Sequence, residues 1–439
     1  MAEITVMKTP AEAGLSQAFE AAKTVLPGDP AMREQAFRLF AERGLPHRRV
    51  EEFKYTDLRA FMREAAPLAP KPSREDAAAA LGQARAFAGV GAVRVAIVNG
   101  HVAREGSDFD RLPVGVEIAP LAEALATGHP LLAQIGPVAA ARDNVVYQLN
   151  AAFMTDGAVI RVAAGAEVET PIHLRFVTAG PMPVALATRV LVAVEEGASV
   201  TLLESHEGPD GAAYQPNDVL EIVAGDRATV RHVRLNAEGR DALALSTLTA
   251  KLGAHVSFDT LNVVVGAAVS RHQVYLDYAG EHSTARVNGA AMLKARQHAD
   301  ATLLVDHAVP HGVSRELFKT VLDDQATGVF QGKIIVRPHA QKTDGRMMSA
   351  AVLLGEGGTM NNKPELEIFA DDVQCAHGAT CGDLDENLLF YLMARGLPKA
   401  EAENLMVQAF LGEAIELVEH EDVREALIAV VEDWLSARA

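Results

Sequence analysis

Cysteine is nearly absent: the 439-residue chain holds two, Cys375 and Cys381. A disulfide-stapled scaffold is thereby excluded, and in a reducing compartment both are expected to be free thiols. Aromatic residues are scarce as well, with one Trp and six Tyr, which leaves few rings to stack on sugars or bases. Positive charge is the minority sign: 40 Lys and Arg face 58 Asp and Glu, for a formal charge of −18 at pH 7. That sign is wrong for binding nucleic acid or an anionic lipid surface. No stretch approaches the roughly 20 apolar residues of a membrane span. Met1 to Pro10 lacks an apolar core flanked by positive charge, so a cytoplasmic protein is expected. Nucleotide hydrolysis is not expected either, because Gly328-Val-Phe-Gln-Gly-Lys333 lacks the spacing and the Ser/Thr of a phosphate-binding loop.

What is there is a chain of 49% hydrophobic residues, enough to bury sizeable cores. Residues 1–157 read as an α-rich region with a small hairpin. Ala31 to Arg43 carries Ala36, Phe37, Leu39 and Phe40 at helical spacing, with Gly44 as a left-handed stop. Leu45 to Asp57 reads as a charged, irregular connection. Val93 to Val98 alternates like a strand, Asn99-Gly100 signals a tight hairpin turn, and helical stretches are expected near 119–134 and 143–153.

Residues 158–382 differ in kind, with short Val, Ile, Leu and Thr segments broken by glycine. Gly165-Ala-Glu-Val168, Gly197-Ala-Ser-Val200 and Gly253-Ala-His-Val256 share one pattern, and Gly225 and Gly280 read as in phase with them. Their spacings of 32, 28, 28 and 27 residues form an internal repeat. Without crossover helices, such a repeat predicts a parallel β-solenoid (β-helix) of about eight coils and on the order of 40 Å. An antiparallel sandwich is the alternative, but it gives no reason for one motif to recur in phase. Residues 383–439 return to helix: Asp383 or Asp385 caps Glu386 to Arg395, Gly396 ends it, and amphipathic stretches follow at 398–418 and 421–437.

The densest reactive cluster is Asp371-Asp372-Val-Gln-Cys375-Ala-His377-Gly-Ala-Thr-Cys381. On a strand, Cys375 and His377 face the same side, and thiolate with imidazole suits iron or zinc. Packing without function is the ordinary fate of such residues on a sheet. An iron-sulfur cluster takes about four protein ligands, so any cluster here must be shared with a second chain. His307 and His311 flank Val309-Pro310 and read as a satisfied loop, and the adjacent acids at 323–324 and 371–372 point to opposite sides of a strand and form no dyad.

Lys363 to Thr380, followed by Asp385-Glu-Asn-Leu-Leu-Phe-Tyr-Leu-Met-Ala-Arg-Gly396, resembles the signature of the SufB/SufD family of iron-sulfur assembly scaffolds. Ser314-Arg-Glu-Leu-Phe-Lys319, Phe330-Gln-Gly-Lys333, Gln341-Lys-Thr-Asp344 and Leu149 to Gly157 extend the resemblance over about two thirds of the chain. The Cys-x-His-Gly-Ala-Thr form and the chain length are more similar to the SufD branch. The resemblance implies a mainly β protein with a right-handed parallel β-helix core and an α-helical C-terminal region. It also implies a non-catalytic scaffold role with a SufB-like subunit, and docking of a SufC-like ABC ATPase on residues 383–439, with apolar positions 388–411 as the surface. His377, with Cys375, is the implied metal residue for a transient iron-sulfur cluster shared with the partner. No role carries onto Cys381, nor onto the expected turn at Asp344-Gly-Arg-Met-Met348, where the sequence departs from the family pattern. No motif supports a flavin. A homodimer stays open, as do two other classes: a β-helix carbohydrate-active enzyme, against which the few aromatics speak, and a purely structural homo-oligomer in which Cys375 and His377 merely pack.

Overall fold

The structure, a computed structural model, describes residues 8–438. The N-terminal part holds α1 (Pro10–Ala22), α2 (Pro30–Arg43), α3 (Leu58–Phe61), α4 (Arg74–Gln83), α5 (Leu121–Thr127) and α6 (Val145–Phe153), with β1 (Val93–Val98), β2 (His101–Val102) and β3 (Val116–Pro120) among them. The expected helix ends are met by side-chain chemistry. Asp29 caps α2 through Ala31 N–H, Arg43 is its last residue, and Gly44 follows at φ 69°. Asn99 and Gly100 both take positive φ, as the tight β1–β2 hairpin requires. The expected helix at 119–134 is interrupted: left-handed Gly128 stops α5, and Pro130 opens a separate 3-10 turn to Gln134.

Sixteen strands then wind eight coils, two strands to a coil. They are β4 (Asp156–Val162), β5 (Ile172–Val177), β6 (Ala185–Val194), β7 (Ser199–Glu207), β8 (Gln215–Ala224), β9 (Thr229–Ala237), β10 (Leu243–Leu252) and β11 (Ser257–Val264), followed by β12 (Val269–Tyr278), β13 (Thr284–Leu293), β14 (His298–His307), β15 (Val313–Leu322), β16 (Thr327–Val336), β17 (Asp344–Leu353), β18 (Thr359–Ile368) and β19 (Gln374–Gly382). Even-numbered strands from β4 to β18 pair in parallel in one sheet and odd-numbered strands from β5 to β19 in the other. The antiparallel pairs are β1–β2 and β3–β4. A parallel β-solenoid is therefore the fold, and the sandwich alternative fails on strand direction. The segment after Asp344, read from sequence as a turn, is strand β17.

Inward side chains of successive coils stack into columns: Ile222, Ala250, Leu276, Val305 and Ile334 stand in register and are fully buried. The outer faces are covered too. Val407, Leu411, Val423, Leu427 and Val431 of α8 (Lys399–Ile415) and α9 (Glu421–Ser436) pack on Leu203, Val233, Leu261 and Val321. On the other sheet, Phe19, Phe37, Val146 and Leu149 pack on Leu243, Leu245 and Val269.

The repeat is real, but its phase differs from the one read off the glycines. Ser199, Thr229, Ser257, Thr284, Val313, Asp344 and Gln374 are the residues in register, at spacings of 30, 28, 27, 29, 31 and 30. Gly165 and Gly197 occupy the left-handed corner position, whereas Gly225, Gly253 and Gly280 lie two residues upstream of it. These later glycines serve close approach: a Cβ on Gly253 would stand 3.0 Å from the Gly225 carbonyl carbon, and one on Gly280 would strike the Ala254 backbone.

Candidate metal centre at the open end of the solenoid

Cys375 and His377 lie on β19, the last strand of the last coil. Their register partners on β17 are Gly345 and Met347, and Met347 is a core residue, so both side chains project from the inward face. Two residues along a strand separates their Cα atoms by roughly 6.8 Å. Among the described residues no further coil lies above them. His377 is exposed and the Cys375 thiol is half-buried, its outer side open while its inner side packs on the core. Burial pushes the Cys375 thiol up, so a metal must displace its proton to gain a thiolate. Cys381 is a free, exposed thiol further along the same strand.

The last coil is uncapped. The strands of the inner coils are mostly buried, whereas β18 and β19 are half-buried to exposed along their whole length and leave one edge each unpaired. Ser349 Oγ donates to Asn362 Oδ1 at 2.7 Å, bridging the two sheets just below this opening. A pair of free edges ten and nine residues long is a template for another chain. Among the described residues no three His, Cys, Asp or Glu side chains converge to hold a metal ion unaided.

A residue the sequence reading passed over stands below the opening. Glu316, Met347 and His377 occupy one inward row on β15, β17 and β19. Glu316 is buried, neither carboxyl oxygen finds a hydrogen-bond partner among the described residues, and burial pushes its pKa up to about 8. Deeper in the rod lies a second polar group. His232 Nε2 and Arg234 Nε approach Glu204 Oε2 at 3.3 and 3.7 Å, and His206 Nδ1 approaches Asp218 Oδ2 at 3.3 Å. Burial alone would raise the Glu204 pKa, but His206 and His232 outweigh it and hold the carboxyl well below its usual range. The available signal for all of these was strand alternation, which assigns each to the inward phase.

Other motif residues prove architectural. Asp156 accepts from Val102 N–H at 3.0 Å and Ala122 N–H at 2.9 Å, and Gly157 leaves no room for a Cβ against the Arg189 carbonyl. Gln331 Nε2 donates to the Glu52 carbonyl at 3.0 Å, and Gly332 sits against Met347 and Phe330. His307 is held by Ser314 Oγ at 3.1 Å and stacks on Tyr278 at 4.2 Å, whereas His311 is exposed at a corner. Asp385 caps α7 (Glu386–Ala394), and Gly396 follows at φ 97°. Of the expected docking stretch, Met406, Val407 and Leu411 are covered by packing, while Leu388, Phe390, Tyr391, Met393 and Leu405 stay exposed. No helix among the described residues is long and apolar enough to cross a membrane.

Comparison with known proteins gives a consistent answer. The family described as "SUF system FeS cluster assembly, SufBD core domain" matches residues 176–410, and "SufBD protein N-terminal region" matches 23–174. An iron-sulfur cluster assembly SufBD family protein of Synechocystis is 32% identical over 88% of this chain and 86% of its own. The iron-sulfur cluster assembly protein SufD of Escherichia coli is 27% identical over 90% of each chain, and that of Bacillus subtilis 28% over 65% of each. With both family regions matched in order along the solenoid and its N-terminal helices, the chain belongs to the SufBD family of iron-sulfur cluster assembly proteins and is a SufD-like member of it.

Proposed function

We propose that the chain is a non-catalytic scaffold subunit on which an iron-sulfur cluster is assembled, at an interface formed by its last coil and a SufB-like partner. The observation that carries this reading is the uncapped coil: free strand edges, an exposed imidazole and a half-buried thiol coincide at one end of an otherwise closed rod. Edge strands pair readily with another chain, and two ligands from this side leave the remaining ones of a set of about four to the partner. Cys375 and His377 are the donors proposed on this side. The cluster is cargo, held until transfer, so the subunit's task is to position donors and exclude competing ligands. In anaerobic co-expression with SufB-like and SufC-like partners, His377→Ala is expected to lower cluster loading of the purified complex at least fivefold, read by iron, sulfide and visible absorption. Loading unchanged from wild type would leave an inert framework.

The SufC-like ATPase is proposed to dock on α7. Phe390 is 73% exposed and Tyr391 53%, and Leu388 and Met393 lie on the same short helix, an apolar surface with no cover among the described residues. Because α8 and α9 are fixed to the rod, a pull on α7 is transmitted to the solenoid. Phe390→Asp is expected to abolish co-purification of the ATPase while leaving the thermal midpoint within about 2 °C, since its side chain packs on little of its own chain. Full retention of the ATPase in that variant would remove α7 as the docking site.

A further inference from the structure

One corner of the solenoid carries three histidines in a stack. His255, His282 and His311 occupy the left-handed position of three successive coils, at φ 57°, 63° and 62°. Backbone bonding fixes their spacing: His255 N–H donates to the Glu281 carbonyl at 2.8 Å and His311 N–H to the Gln341 carbonyl at 3.0 Å. The imidazoles are exposed and nearly parallel, His255 to His282 at 5.1 Å and 9°, His282 to His311 at 4.4 Å and 13°. The fold does not need imidazole there. The equivalent corner is Gly165 and Gly197 in earlier coils, then Arg227 before the stack and Lys342 after it. Both flanking cations are neutralised, Arg227 by Glu196 and Lys342 by Asp372, and Glu281 Oε2 lies 3.9 Å from His282 Nε2.

We propose that this histidine ladder is a surface site for a borderline divalent transition-metal ion, ligated by two adjacent imidazoles with water in its remaining positions. Imidazole nitrogens bind such ions at about 2.0–2.1 Å, so two of them must come within about 4.2 Å of each other. The 4.4 Å between ring centroids sets the imidazoles face to face with their lone pairs side by side, so binding turns both rings about their side-chain bonds until the lone pairs converge, a rotation that exposed side chains on neighbouring corners are free to make. Imidazole suits Fe, Co, Ni, Cu or Zn and disfavours the harder Mg and Ca. The ladder is separate from Cys375 and His377: the corner after His311 holds Lys342, and the next turn, at Asp371 and Asp372, leads into β19. The proposal therefore stands independently of the scaffold reading.

His282 belongs to both neighbouring pairs and His255 to only the wider one, which makes the test specific. Untagged full-length chain is titrated anaerobically with Co²⁺, followed by calorimetry and by the ligand-field absorption of the ion. Asn tolerates the left-handed corner, so His→Asn preserves the backbone. The expected result is saturable binding that His282→Asn weakens at least tenfold, that His255→Asn changes less than twofold, and that a Cys375→Ala, His377→Ala double variant retains. Wild-type affinity in His282→Asn, failure of the wild-type chain to bind Co²⁺, or loss of binding confined to the Cys375 and His377 variant would each overturn the proposal. Far-UV circular dichroism confirms that every variant is folded.

Discussion

Arg189→Ala is expected to cost about 3–5 kcal/mol of unfolding free energy, the range for stripping one partner from a buried ion pair. Arg189 and Glu221 are 0% and 1% exposed and 3.0 Å apart across β6 and β8. The guanidinium also donates to Asn150 Oδ1 at 2.9 Å and to the Tyr147 carbonyl at 3.2 Å, and it lies 4.6 Å over the Tyr147 ring. It therefore joins α6 to the solenoid. Its removal leaves the Glu221 carboxylate buried with only the Tyr147 hydroxyl and the Gly136 N–H. Urea unfolding at pH 7.5 measures the loss, and Arg227→Ala is the control. The Arg227–Glu196 pair is 60% exposed on both sides, so its loss should stay within about 1 kcal/mol. A loss below about 1 kcal/mol in Arg189→Ala would show that the pair does not anchor α6.

The second large effect depends on pH. Glu316 has its pKa raised by burial to about 8 from an unfolded value of 4.5. Between those values the native state keeps a proton that the unfolded chain releases, so stability falls as pH rises through this window. The full difference amounts to about 4–5 kcal/mol once pH exceeds 8. Glu238, raised by burial to about 7, adds a slope of the same sign. Glu316→Gln removes the first slope: the variant should match wild type within about 1 kcal/mol near pH 5 and exceed it by several kcal/mol at pH 8.5. Parallel stability–pH profiles for the two proteins would mean that Glu316 is solvated.

The coiled β fold was legible because stacked coils impose the same turn requirement every 27 to 32 residues. Its register was not, because glycine answers two separate needs with one letter. At Gly197 it supplies a positive φ, and at Gly253 it makes room for the neighbouring coil. The motif at Gly253 thus matched in residues while lying two positions out of phase. Cys375 and His377 stood out by chemistry, and their strand spacing put them on one face, but which face, and that it lies at the end of the rod, depended on the pairing of β17 with β19. The histidine ladder is invisible in the linear chain, since its members lie 27 and 29 residues apart and meet only through coil stacking. Leu45 to Asp57 looked like a connector because the partners that anchor its middle are remote: Phe53 stacks under Arg271 at 4.0 Å, and Arg271 Nη2 donates to the Glu52 carbonyl at 2.7 Å.

That remoteness bears on synthesis. Thr56 bonds His298 at 2.9 Å, 242 residues later in the chain, and Glu51 pairs with Lys363, 312 residues later. A stacked rod could otherwise harden behind the ribosome one turn at a time, each turn needing only its predecessor. Here residues 51–56 meet these bonding partners only after the late turns have emerged, so that stretch must wait unlatched through most of translation. When it finally latches it ties early and late turns together, and disassembly by fraying from one end gives way to a single concerted release.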